Sequence, residues 1–97
     1  MIKAERYYQL KEVLDDGTII EMSVWVVPAP VAGSDHSFKY RLYCGRDGER
    51  LVGYDNERGK GDHKHILGKE TSYRFKTVEK LVSDFLADVR KYGGVKS

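Results

Sequence analysis

The chain has 97 residues, 40% of them hydrophobic and 33% charged, with 17 Lys and Arg against 15 Asp and Glu for a net charge of +2. That length holds one small domain over residues 1–97, with a single core and no room for separate cofactor and substrate domains. The apolar content excludes wholesale disorder, and a lone cysteine, Cys44, excludes an intramolecular disulfide or a four-cysteine zinc site.

The elements follow in chain order. Tyr8, Leu10 and Leu14 lie on one side of a first strand, with Gln9 and Lys11 on the other. Ile20, Met22, Val24 and Val26 alternate with Glu21, Ser23 and Trp25, the period of a half-buried strand. Phe38, Tyr40, Leu42 and Cys44 alternate in the same way with Lys39, Arg41 and Tyr43, so Cys44 reads as a small buried hydrophobe. A fourth strand follows at Arg50 to Asp55. Asp15-Asp16-Gly17 and Arg46-Asp47-Gly48 are hairpin signals, because their turns require positive φ. The stretch from Pro28 to Asp35 is a longer loop. His63 to Leu67 reads as a short strand and Lys69-Glu70-Thr71-Ser72 as a turn. Then the period changes: Val78, Leu81, Val82, Phe85, Leu86 and Val89 make one helical face. Thr77 is its N-cap, Glu79 suits its start, Arg90 and Lys91 suit its end, and Gly93-Gly94 stops it. The expectation is an α+β domain, a four- to five-stranded antiparallel meander packed against one C-terminal helix. The unpaired edges of such a sheet make a homodimer a possible assembly.

Residues Met1 to Arg6 lack the apolar stretch of a signal peptide. The longest charge-free run, residues 22–34, contains two prolines. It falls short of the roughly 18–20 apolar residues of a membrane span. A soluble cytoplasmic protein without a membrane partner is therefore expected.

Charge is uneven. Between Arg58 and Lys76 stand six basic and two acidic residues, together with His63 and His65, which points towards a polyanionic partner. Lys11, Trp25, Lys39, Arg41 and Tyr43 fall in the outward register of their strands. Aromatics among cations on an open sheet suit base stacking and phosphate binding, although a solvated face or a protein interface has the same composition. If the segment after the loop is extended, His63 and His65 share a face, close in sequence to Asp55 and Asp62.

Two triplets, Tyr54-Asp55-Asn56 and His63-Lys64-His65, stand on either side of the polar run Glu57 to Asp62. This pattern resembles the TumE family of small bacterial and archaeal toxins, in which Tyr-Asp-Asn ends a strand and His-Lys/Arg-His follows a polar loop. Val78-Glu79-Lys80-Leu81 and Asp84-Phe85 are also similar to the family's C-terminal region, so the resemblance covers roughly residues 5–90. The loop here is shorter than the proline- and histidine-rich one of many members. The resemblance implies the toxin half of a toxin–antitoxin pair, with a helix-turn-helix antitoxin from an adjacent gene as partner.

Three chemistries fit these residues. Cleavage of RNA without a cofactor needs a base on the 2′-hydroxyl, an acid on the leaving 5′-oxygen and positive charge at phosphorus. His63 and His65 suit the acid and base roles, and Asp55 suits orienting a ring. Arg58, Lys60, Lys64 and Arg74, with Lys39, Arg41 and Trp25 on the sheet, suit the nucleic acid. Alternatively Asp55, His63 and His65 are a two-histidine, one-carboxylate set for a metal-dependent nuclease or hydrolase. In the third reading the chain is a non-enzymatic binding module for nucleic acid or protein, and the histidines are incidental.

Overall fold

A computed structural model describes residues 5–57 and 59–93. Six strands run in chain order: β1 (Glu5–Val13), β2 (Ile19–Val26), β3 (Phe38–Arg46), β4 (Glu49–Glu57), β5 (Gly61–Ile66) and β6 (Lys69–Ser72). Each pairs antiparallel with the next, in the order β1-β2-β3-β4-β5-β6, and the helix α1 (Val78–Tyr92) follows. The α+β class is as expected, but there are six strands rather than four to five. The added strand is Lys69–Ser72, read from sequence as a turn. Its four side chains are all exposed, so no apolar alternation betrays it. The turn itself is Leu67-Gly68, with φ of 50° and 86°. A leucine in the left-handed region hides a turn that asparagine would have announced.

The polar run between the triplets is also more ordered than a loop. Asn56 pairs with Asp62 and Glu57 with Gly61, so strand pairing continues almost to the turn. Gly61 (φ 76°) and Gly33 (φ 97°) meet there. A Cβ on Gly33 would come within 2.7 Å of the Gly61 nitrogen, so both positions need glycine. The Gly59 N–H donates to Ala32 O at 2.7 Å, pinning the long loop onto the β4–β5 turn.

Alternation decides the core. Met22, Leu42 and Tyr54 are successive cross-strand partners, as are Ile20, Cys44 and Val52, and Val24 faces Tyr40. All eight are buried, under Val78, Leu81, Phe85 and Val89 of α1. Each large apolar side chain so buried contributes about 1.5–3 kcal/mol. Val82 and Leu86 lie half-buried at the margin. Thr77 caps α1 by accepting from the Lys80 N–H at 3.0 Å, and the Gly93 N–H closes the last turn on Val89 O. Among the described residues no helix is long and apolar enough to cross a membrane.

Polar ties lock the helix side. Tyr54 donates to the Asp88 carboxylate, Tyr73 donates to Asp84 Oδ2 at 2.7 Å, and Lys64 Nζ stands 3.6 Å from Asp88 Oδ2. Burial, then the carboxylate each one serves, pushes both phenols well above the ordinary tyrosine value. One face of the sheet is thus committed to α1, and among the described residues no helix covers the other.

Candidate functional site

Cross-strand register assembles the open face in rows. One row runs Gln9, Ser23, Arg41, Asp55, His63 and Ser72. The next runs Lys11, Glu21, Tyr43, Gly53, His65 and Glu70. Trp25 and Lys39 are partners in a third. Asp55 and His63 are therefore neighbours because β4 and β5 pair, and His65 follows one pleat later.

The structure brings Asp55, His63 and His65 together, each offering one donor atom within 4.8 Å of the others. The two imidazole centroids are 5.1 Å apart and nearly perpendicular. His63 is buried, and its Nδ1–H donates to Gly61 O at 3.0 Å. Its Nε2 meets Asp55 Oδ1 and stands 3.4 Å from Glu70 Oε1. His63 Nε2 and Asp55 Oδ1 touch without hydrogen-bond alignment, and that buried oxygen has no hydrogen-bond partner among the described residues. Both nitrogens of His63 thus face acceptors, and a cation at Nε2 would satisfy the ring and the carboxylate together. His65 Nε2 lies 3.5 Å from Glu70 Oε1. Its pKa is lowered, first by burial and then by the charge of Arg50, with Glu70 and Asp55 opposing. A neutral imidazole at ordinary pH is a base or a ligand.

Sequence reasoning missed Glu70 and Arg50. The sequence places Glu70 in a turn, whereas its pairing with His65 puts it on the open face. Arg50 folds over the space left by Gly53, where a Cβ would come within 2.9 Å of its Cδ. Neither has a signal apart from three-dimensional pairing.

The other predicted residues divide. Trp25, Arg41 and Tyr43 line a concavity of about 410 Å³ on the same open face, with Glu21 and Ser23. Lys60 lines a smaller one with His63, Glu70 and Ser72, and also joins Arg74 along a larger cleft of about 630 Å³. Lys39 donates from Nζ to Asn56 O at 2.6 Å, so its ammonium is engaged by the backbone. Lys64 points to the helix side, near Asp88 and 5.7 Å from the Tyr54 ring centroid, away from both histidines. Period two makes this unavoidable, since residues flanking it on the strand take the opposite face. Arg58 lies outside the described residues.

Asp62 does not join the centre either. It accepts from Ser34 Oγ (2.6 Å), Tyr40 OH (2.6 Å) and His36 Nε2 (2.7 Å). Burial would raise its carboxyl, but these donors outweigh it and hold the pKa below the ordinary value. His36 Nδ1 accepts from the Phe38 N–H, and the ring stacks on Phe75 at 3.8 Å. His36 therefore has a hydrogen-bond partner at each nitrogen and fastens the long loop to β5.

The sequence model of the family described as Toxin TumE matches residues 2–92, nearly the whole chain. No curated protein and no solved structure matches. A toxin family implies an antitoxin partner in general. The matched span takes in both triplets, all six strands and α1, and the chain belongs to the TumE toxin family.

Proposed function

We propose that this toxin acts on RNA in the cytoplasm, cleaving phosphodiester bonds at the Asp55–His63–His65 centre. Its partner on this reading is a helix-turn-helix antitoxin from an adjacent gene, and the open edges β1 and β6 offer it, or a second copy of the chain, a strand to pair with. One observation carries the proposal. Two imidazoles and a carboxylate converge on an open sheet face that also presents Trp25, Arg41 and Tyr43. Aromatic rings among cations hold single-stranded nucleic acid through its bases and phosphates together.

In the ion-free form the chemistry balances as follows. His65 takes the proton of a 2′-hydroxyl as its oxygen attacks phosphorus. The bond from phosphorus to the 5′-oxygen breaks, and His63 gives that oxygen a proton from Nε2, since its Nδ1–H is held by Gly61 O. The products are a 2′,3′-cyclic phosphate and a free 5′-hydroxyl. Arg41, Lys60 and Arg74 contact the strand's phosphates, and Arg50 adds positive charge beside His65.

Induced expression followed by mapping of RNA ends tests this. Wild type should leave cut RNA, and His65→Ala should slow cleavage by about 100-fold or more. A purified chain should cut an RNA oligomer but spare the same oligomer with a 2′-deoxy nucleotide at the cleaved position. Undiminished toxicity of the His63→Ala, His65→Ala double variant overturns the enzyme. If Trp25→Ala with Arg41→Ala then abolishes toxicity, a binding module replaces it.

A further inference from the structure

We propose that Asp55, His63, His65 and Glu70 together bind one divalent transition-metal ion of zinc-like ligand preference. This deepens the reading of the same centre, on which it rests for the site's use but not for its existence.

Three features of the structure lead here. First, the donors converge. Glu70 Oε1 lies 3.4 Å from His63 Nε2 and 3.5 Å from His65 Nε2. A tetrahedral ion with bonds of about 2.0–2.1 Å separates its donors by roughly 3.3–3.5 Å, so the glutamate already stands one tetrahedron edge from each ring. Second, His63 is oriented as metal-bound histidines are. Its Nδ1–H is spent on the Gly61 carbonyl, which turns Nε2 inward as the coordinating atom. Third, Asp55 Oδ1 is buried beside that Nε2 with no hydrogen-bond partner among the described residues. A buried carboxylate oxygen without a donor is costly, and coordination satisfies it.

Ligand type selects the ion. Two imidazole nitrogens and two carboxylates suit zinc, cobalt or iron, and disfavour magnesium and calcium, which take oxygen alone. The site opens on the unpacked sheet face, and Glu70 sits on the edge strand β6, leaving an approach for a phosphate. A bound ion would supply positive charge to a phosphate there.

The test is stoichiometric binding by the full chain. Metal-stripped protein is titrated with Zn2+ against a chromophoric chelator, and with Co2+ by visible absorption. One ion per chain is expected, and Co2+ should develop the absorption of a mixed nitrogen–oxygen site. His65→Ala and Glu70→Gln each remove a proposed ligand and should weaken Zn2+ binding by at least the roughly tenfold that loss of an outer-shell partner costs. Glu70 is exposed on an edge strand, so Glu70→Gln keeps the test sound even where His63→Ala fails to fold. Absence of stoichiometric binding, or affinity unchanged in both variants, overturns the site. A chain that takes up no ion yet cuts RNA overturns the site and keeps the RNA reading. A chain that binds one ion and leaves RNA intact keeps the site and overturns the RNA reading.

Discussion

Asn56 is fully buried, yet both ends of its amide are used. Its Oδ1 accepts from the Tyr40 N–H at 2.9 Å, and its Nδ2 donates to Phe38 O at 2.8 Å and to Ser34 Oγ at 3.3 Å. One side chain thereby stitches β3, β4 and the long loop together next to the site. Asn56→Ala strands the Tyr40 donor and the Phe38 acceptor in the interior, at a cost of about 2–4 kcal/mol. Asn56→Asp fares no better, because an ionised carboxylate faces Phe38 O with nothing to donate. Urea denaturation measures both, and a loss below about 1 kcal/mol for Asn56→Ala would contradict this accounting. The triplets look different at this scale. In Tyr54-Asp55-Asn56 only the middle residue reaches the open face, while in His63-Lys64-His65 the outer two do. A motif read along the chain mixes site and scaffold, and the pleat separates them.

At the scale of elements, the join between sheet and helix depends on a carboxylate held charged, Asp84. Asp84 accepts from Tyr73 OH and from Lys80 Nζ at 2.8 Å, tying the segment after β6 to α1. Burial opposes its charge, but these hydrogen bonds and the nearby lysines prevail and keep its pKa below 3.8. A folded pKa lower than the unfolded one gives stability that is fully present above the unfolded value. That stability is lost as pH falls through the folded value. Thermal unfolding followed from neutral pH into acid should therefore show a steeper loss below pH 3.8 in wild type than in Asp84→Asn. Equal slopes would place the acid sensitivity elsewhere. The helix was legible from its apolar spacing and cap, and β2 and β3 from their alternation, because burial on one face imposes a period. Strand β6 was not, since it lies at the sheet edge with its side chains in water and carries no such pattern.

Across the whole molecule, α1 covers one side of the meander and the polar rows lie on the other, so the division of labour is between faces rather than between domains. Asp55, His63 and His65 were legible as a group because they are near in sequence. Glu70 was not, because only the pairing of β5 with β6 delivers it. Trp25 offers a direct probe of the open face, for it is the chain's single tryptophan and lines the concavity with Arg41 and Tyr43. If single-stranded RNA lies along these rows, its bases stack on that indole, and titration with a cleavage-resistant RNA quenches the intrinsic fluorescence. Trp25→Ala should then weaken binding, measured by anisotropy of a labelled strand, by about 1–3 kcal/mol. Arg41→Ala should act differently, flattening the dependence of log affinity on log salt by about one phosphate's worth, because a lost cation releases fewer counterions. Lys64→Ala should change neither, since that ammonium is on the helix side with Asp88. Unquenched Trp25 at saturating RNA, or a salt slope that falls with Lys64→Ala and not with Arg41→Ala, would mean that nucleic acid binds elsewhere than the open face.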